Sequence, residues 1–279
     1  MSVPAGRRYP RRRPTPRTEG PVPDADVRDP SASPARGTIL IAHGSMDTGR
    51  SFRRLRDALP NWRTVAYDRR GYGRSFDPAE APASIGEHVA DLRSLLDGPT
   101  VLLGHSMGGV LALMATALDP ELVRAVVVYE APLPWLEEWP DAPLARSDDP
   151  ALVRAAGERF VRHAMGEGAW ERLSASQRER FHDWSAALER ELGELTFRPD
   201  DPALRWPFDP ADVTVPVLVL HGSETAGRHR LGAPRWLEVL PDATGTVIEG
   251  AAHTGHVTHP AAIAQAIESF ASERLGNPG

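Results

Sequence analysis

Residues 100–109 read Thr-Val-Leu-Leu-Gly-His-Ser-Met-Gly-Gly, an apolar run that stops at a serine with a glycine two positions to either side. Val101, Leu102 and Leu103 predict a short buried strand and the apolar stretch Met107 to Leu118 predicts a helix, so Ser106 falls where one becomes the other. A turn that tight excludes side chains at Gly104 and Gly108, where they would collide as the backbone folds back, and it forces Ser106 into strained dihedrals. Ser106 is therefore a candidate nucleophile, standing at the start of a helix where developing negative charge is favoured. A glycine-rich strand-to-helix turn in some other parallel-sheet protein has the same pentapeptide, so the rest of the chain must decide.

Outward from this turn the same pattern repeats. Thr38 to Ala42 predicts a buried strand ending at His43-Gly44-Ser45-Met46, and Phe52 to Leu59 predicts a helix stopped by Pro60. Trp62 to Tyr67 predicts the next strand, leading into Asp68-Arg-Arg-Gly-Tyr-Gly-Arg-Ser75, and Ser84 to Leu96 an amphipathic helix opened by a Ser84/Glu87 capping box. Val123 to Tyr129 is a very apolar strand closed by Glu130-Ala-Pro-Leu-Pro134. From Pro134 to Asp212 the alternation gives way to helical segments (about 150–165 and 176–195) carrying Trp135, Trp139, Trp170, Trp184 and Trp206. It then resumes with a strand at 215–221, a turn at Gly222-Ser-Glu-Thr225, a helix at about 233–240, a strand at 245–249, a turn at Gly250-Ala-Ala-His253 and a helix at 260–274. Strand, glycine turn and helix in repetition predict an α/β fold, a mostly parallel doubly wound sheet of at least six strands with a helical insertion.

Composition narrows the chemistry. At 279 residues with 41% hydrophobic and 25% charged side chains, the chain reads as one soluble globular core with a small insert. No apolar run approaches the ~20 residues that span a bilayer. The absence of cysteine excludes disulfides, thiolate metal sites and a cysteine nucleophile, and all 32 basic residues are arginine, which excludes lysine Schiff-base chemistry. A net charge of −6 gives the body of the protein no electrostatic reason to bind nucleic acid. No cofactor or metal is expected, and the sequence leaves the oligomeric state open.

Residues 1–36 hold eight prolines and eight arginines without a sustained apolar pattern, and predict a disordered tail containing no strand. Neither an apolar segment nor a small-residue cleavage site follows its Arg-Arg pairs, so a cytoplasmic location is expected. The domain reading is a tail (1–36), a first core part (37–133), a helical insertion (134–212) and a second core part (213–275).

A serine hydroxyl needs a base, and the chain offers ten histidines. His43 and His105 belong to turns, His88, His163, His182 and His229 lie on predicted helices or their approaches where a surface role is the default, and His221 ends a strand as a structural residue. The Gly-x-Ser-x-Gly turn, His43-Gly44 and the Gly-Ala-Ala-His253 turn stand in the order of the alpha/beta-hydrolase family, which residues 37–275 resemble. That resemblance implies Ser106 as nucleophile and His253 as base, preferred over His256 and His259 of the same loop. It further implies oxyanion donors at the amides of Ser45 and Met107, a lid over the site formed by the insertion, and a bracing role for the Asp68–Ser75 segment. Most of the family carries an aspartate where this chain has Thr225, and threonine cannot serve as the acid. Glu130, at the position used by a minority that includes haloalkane dehalogenases, is the preferred acid, with Glu224 the alternative. The implied protein is a serine hydrolase for an ester or related small-molecule acyl substrate, apolar in character because the insertion is rich in tryptophan. The alternative is a non-catalytic small-molecule-binding protein on the same fold.

Overall fold

The computed structural model describes residues 23–136, 139, 147–165, 168–196 and 207–276, so residues 1–22 and Trp206 lie outside the described residues. Seven strands form one sheet: β1 (Ala25–Arg28), β2 (Gly37–Ala42), β3 (Trp62–Tyr67), β4 (Thr100–His105), β5 (Val123–Tyr129), β6 (Val217–Gly222) and β7 (Ala243–Ile248). Their spatial order is β1-β3-β2-β4-β5-β6-β7, with β2 to β7 parallel. β1 pairs antiparallel with β3, placing Val27 opposite Val65, and corrects the expectation that residues 1–36 hold no strand.

Period-two alternation along the strands supplies two separate cores. Leu40, Ala42, Leu102, Val126, Val128 and Val219 face one side, under the helices α2 (Ile85–Ser94), α3 (Met107–Leu118) and α8 (His229–Val239). Ile39, Ile41, Val101, Leu103, Val127 and Leu220 face the other, against α1 (Arg53–Asp57) and α9 (Pro260–Arg274), which bring Leu55, Ile263, Ile267 and Phe270. The Ser84/Glu87 capping box opens α2 with both of its bonds made, Glu87 N–H to Ser84 Oγ at 3.2 Å and Ser84 N–H to Glu87 Oε2 at 2.8 Å.

Between β5 and β6 the chain leaves the sheet to form α4 (Pro150–Met165), the short α5 (Ala169–Arg172), α6 (Ala175–Asp183) and α7 (Ser185–Leu195). The helix expected over 176–195 is two helices that join at Trp184. α4 and α7 cross tightly at Gly157, where a Cβ would lie 2.0 Å from Ser185 Oγ. Val161, Trp170, Trp184, Ala187 and Leu188 of these helices pack on Met46 and Tyr72, which belong to the loops after β2 and β3. Trp135, Trp139, Trp170 and Trp184 are all buried. Because six strands run parallel, the turns that leave them at His43, Asp68, Ser106 and Glu130 and after Gly222 and Ile248 collect along one edge of the sheet.

Candidate active site

Ser106 joins β4 to α3 with φ 51° and ψ −123°, a conformation that costs about 1–3 kcal/mol in a non-glycine residue. The backbone around it leaves no space: a Cβ on Gly104 would sit 2.4 Å from Gly108 O, and one on Gly108 would sit 2.1 Å from Ala42 O. The Ser106 amide donates to Tyr129 O at 2.9 Å, which ties the serine to the end of β5. Met46 (φ 58°) and Glu130 (φ 50°) are the other non-glycine residues with positive φ among the described residues, so the backbone strain collects at this one edge.

Glu130 extends from the tip of β5 with a side chain fully shielded from solvent. Its Oε2 accepts from His253 Nδ1 at 2.8 Å, and its Oε1 accepts from the Gly222 amide at 3.1 Å and from the Thr225 hydroxyl. Burial alone would raise its pKa, but the His253 bond and charge, with the Thr225 and Gly222 donors, outweigh burial and hold the carboxyl below its usual range. A proton on Nδ1 facing the carboxylate leaves Nε2 of His253 as the basic nitrogen. Glu224 is exposed, and its backbone amide donates to Ala251 O at 2.9 Å. Sequence reasoning set Thr225 aside as unable to be the acid; in the structure its hydroxyl donates to the Glu130 carboxylate.

His253 sits in a column of rings. His229 stacks on it with centroids 4.0 Å apart, and Trp139 meets His229 edge-on at 5.7 Å. On the other side His105 lies 4.8 Å from His253 and 4.2 Å from His256, which stacks on Phe52 at 4.5 Å. His105 Nε2 also lies 2.9 Å from His253 O, joining the residue before the serine to the base's own backbone. Burial, reinforced by the neighbouring histidine charges, holds His105 and His229 well below the ordinary histidine pKa and therefore neutral. His88 is likewise 1% exposed. The expected surface roles of His88 and His229 are thus corrected: each lies on the inward stripe of its helix. Two trios, Asp47/His105/His256 and Glu130/His229/His253, could offer ligand atoms to an ion, each set lying within 4.8 Å. In both trios the imidazoles pack ring against ring, and His253 Nδ1 already faces Glu130.

The loop after β2 is held from beneath. The Arg69 amide donates to His43 Nε2 at 2.8 Å, and His43 Nδ1 lies 2.7 Å from Gly44 O, which fixes the neutral imidazole with its proton on Nδ1. Burial, aided by the Arg69 charge, pushes the His43 pKa down to about 4. The Arg69 guanidinium donates to His43 O (3.0 Å) and Gly44 O (3.1 Å), and its Nη1 pairs with Glu191 of α7 at 2.5 Å. Ser45 Oγ donates to the other oxygen of Glu191, also at 2.5 Å. Asp68 accepts from the amides of Gly49 and Arg74, both at 2.9 Å, linking the two loops. A Cβ on Gly44 would lie 3.0 Å from Ser106 Cβ, so this loop borders the serine directly, and Met107 begins α3 on its other flank. Sequence reasoning missed Glu191, although its place between Leu188 and Leu195 on the apolar stripe of α7 was a signal.

The chain belongs to the Alpha/beta hydrolase family, whose model matches residues 39–266. The lipase LipV of Mycobacterium tuberculosis is 29% identical over 255 residues, spanning 88% of this chain and 83% of that protein. The 2-(acetamidomethylene)succinate hydrolase of Mesorhizobium japonicum is 27% identical over 262 residues, spanning 88% of this chain and 90% of its own. Among solved structures, MenH from S. aureus superposes with a TM-score of 0.66 at 17% identity, covering 90% of this chain and 98% of that one. Among the described residues no helix is long and apolar enough to cross a membrane.

Proposed function

We propose that the protein is a serine hydrolase working through Ser106, His253 and Glu130. The observation that carries this reading is the buried Glu130, bonded to His253 Nδ1 at 2.8 Å and seated by Gly222 and Thr225. His253 Nε2 takes the Ser106 proton as the oxygen attacks an acyl carbon, and Glu130 stabilises the imidazolium that forms. The tetrahedral oxyanion rests on the amides of Met107 and Ser45, each contributing about 3 kcal/mol to lowering the barrier. Collapse returns the proton to the leaving group and leaves an acyl-serine. Water, deprotonated by His253, then attacks that ester and regenerates Ser106.

Helices α4 to α7 act as the lid in this reading. Trp139, one ring removed from His253 through His229, supports an apolar acyl or aromatic substrate. An ester or related acyl bond is also in keeping with two of the relatives that match over most of their length, one named a lipase and the other a hydrolase of a substituted succinate.

A fluorophosphonate probe tests the reading. It should label the wild-type chain once, at Ser106, and p-nitrophenyl esters of rising acyl length should be turned over by the same fraction of molecules. Ser106→Ala should abolish both. A wild-type chain that takes no label at Ser106 is a binding protein on a hydrolase fold.

A further inference from the structure

We propose that Glu191, supplied by α7 of the helical insertion, is a positioning residue for the oxyanion donor at Ser45. The proposal rests on the reading of Ser45 N–H as that donor. Glu191 is fully buried, and its carboxylate bonds to Ser45 and Arg69 and lies against His88, groups from three separate parts of the core. Oε2 accepts from Ser45 Oγ at 2.5 Å, and Oε1 pairs with Arg69 Nη1 at 2.5 Å and lies 3.2 Å from His88 Nε2 of α2.

The geometry reaches the reacting centre through one peptide group. Gly44 C=O and Ser45 N–H are the two ends of a single planar trans amide, so fixing one end aims the other in the opposite direction. Gly44 O is fixed by Arg69 Nη2 at 3.1 Å and His43 Nδ1 at 2.7 Å, and His43 O is fixed by Arg69 Nε at 3.0 Å. The amide hydrogen of Ser45 is thereby turned away from Arg69, in a loop whose Gly44 borders Ser106. Arg69 can hold those carbonyls in a dry interior only because a countercharge accompanies it, and that countercharge is Glu191. The Ser45 Oγ bond fixes the same residue from its side-chain end. The pair persists across the working pH range, since Arg69 is held above its usual pKa and Glu191 well below its own by their mutual attraction against the cost of burial.

A purely architectural ion pair would change stability and leave the chemical step alone, so the test separates the two. Glu191→Gln strands a buried guanidinium and is expected to lower Tm. The double variant Glu191→Leu/Arg69→Met removes both charges at similar volume, and Ser45→Ala removes only the hydroxyl while keeping the amide. Each is measured for Tm, kcat and KM per fluorophosphonate-titrated site, and inhibition by an alkyl boronic acid, which forms a tetrahedral anion on the serine. The double variant is expected to lose 10–100-fold in kcat per titrated site, and boronate affinity is expected to fall by a matching factor, with KM within about twofold; Ser45→Ala is expected to lose 3–10-fold with a smaller fall in Tm than Glu191→Gln. Wild-type kcat per site and wild-type boronate affinity in both Ser45→Ala and the double variant would overturn the proposal. Absence of Ser106 labelling in the wild type would instead overturn the hydrolase reading on which it stands.

Discussion

In the site proposed above, two fully buried glutamates support opposite ends, and they come from different parts of the chain. Glu130 belongs to the sheet: it leaves β5 and is seated by the adjacent turn after β6, so the acid end is complete once neighbouring strands have paired. Glu191 belongs to the insertion, 146 residues from the serine hydroxyl it accepts and 122 from its arginine. The oxyanion end is therefore complete only when the helices have docked on the core. The base is aligned by the fold itself, while the oxyanion loop depends on a tertiary contact that the sheet does not require.

The widest gap between the two ends should appear on removing the acid's charge. Glu130→Gln is expected to lower kcat roughly a thousandfold or more, through loss of the imidazolium partner and of the correct tautomer, with Tm little affected. Glu224→Gln, on an exposed side chain, should keep wild-type kcat; the reverse pattern would make Glu224 the acid. A smaller effect is expected at the acid's seat. Thr225→Val removes one bond to a buried carboxylate, worth about 1.5–3 kcal/mol, and should reduce kcat on the order of tenfold while Thr225→Ser retains most of it. Equal rates in the valine and serine variants would mean that the Gly222 amide alone holds Glu130.

The gentlest probe is pH, and it acts on both ends. His43 has its pKa pushed down to about 4, so below about pH 6.5 the unfolded chain takes up a proton that the folded chain refuses. Stability therefore falls as pH falls through this window, by about 2 kcal/mol at pH 5 from His43 alone, with buried His105 and His229 adding in the same direction. Urea midpoints at pH 7.5 and pH 5 report it directly, and equal midpoints would show that His43 is not held neutral.

Much of this architecture was legible in the sequence because it obeys local rules. The glycines at 104 and 108 announced the turn, and both meet backbone within 2.4 Å as the packing rule requires. Short apolar runs closed by glycine turns predicted the parallel strands. β1 was illegible because only four residues form it, Asp26 and Arg28 among them, and Val27 remains 45% exposed on the sheet's edge. Its identity as a strand comes from the partner, β3. The roles of Glu191 and His229 were illegible for another reason: each position falls on an apolar stripe of its helix, but the partners that give it a role lie far away in sequence. A charge at such a place is read from its own element as solvated until the tertiary partner is known.

The seat of the acid on β5 has a consequence for how this scaffold can vary. The segment after β6 has to supply an amide at 222 and a hydroxyl at 225, and past these Gly227 stands in open space with nothing within 4 Å of where its Cβ would be. Gly227 itself takes a left-handed φ of 57° that favours glycine, and Arg230 Nε donates to Thr225 O at 2.5 Å, so the open space lies beside a turn whose backbone is fixed at both ends.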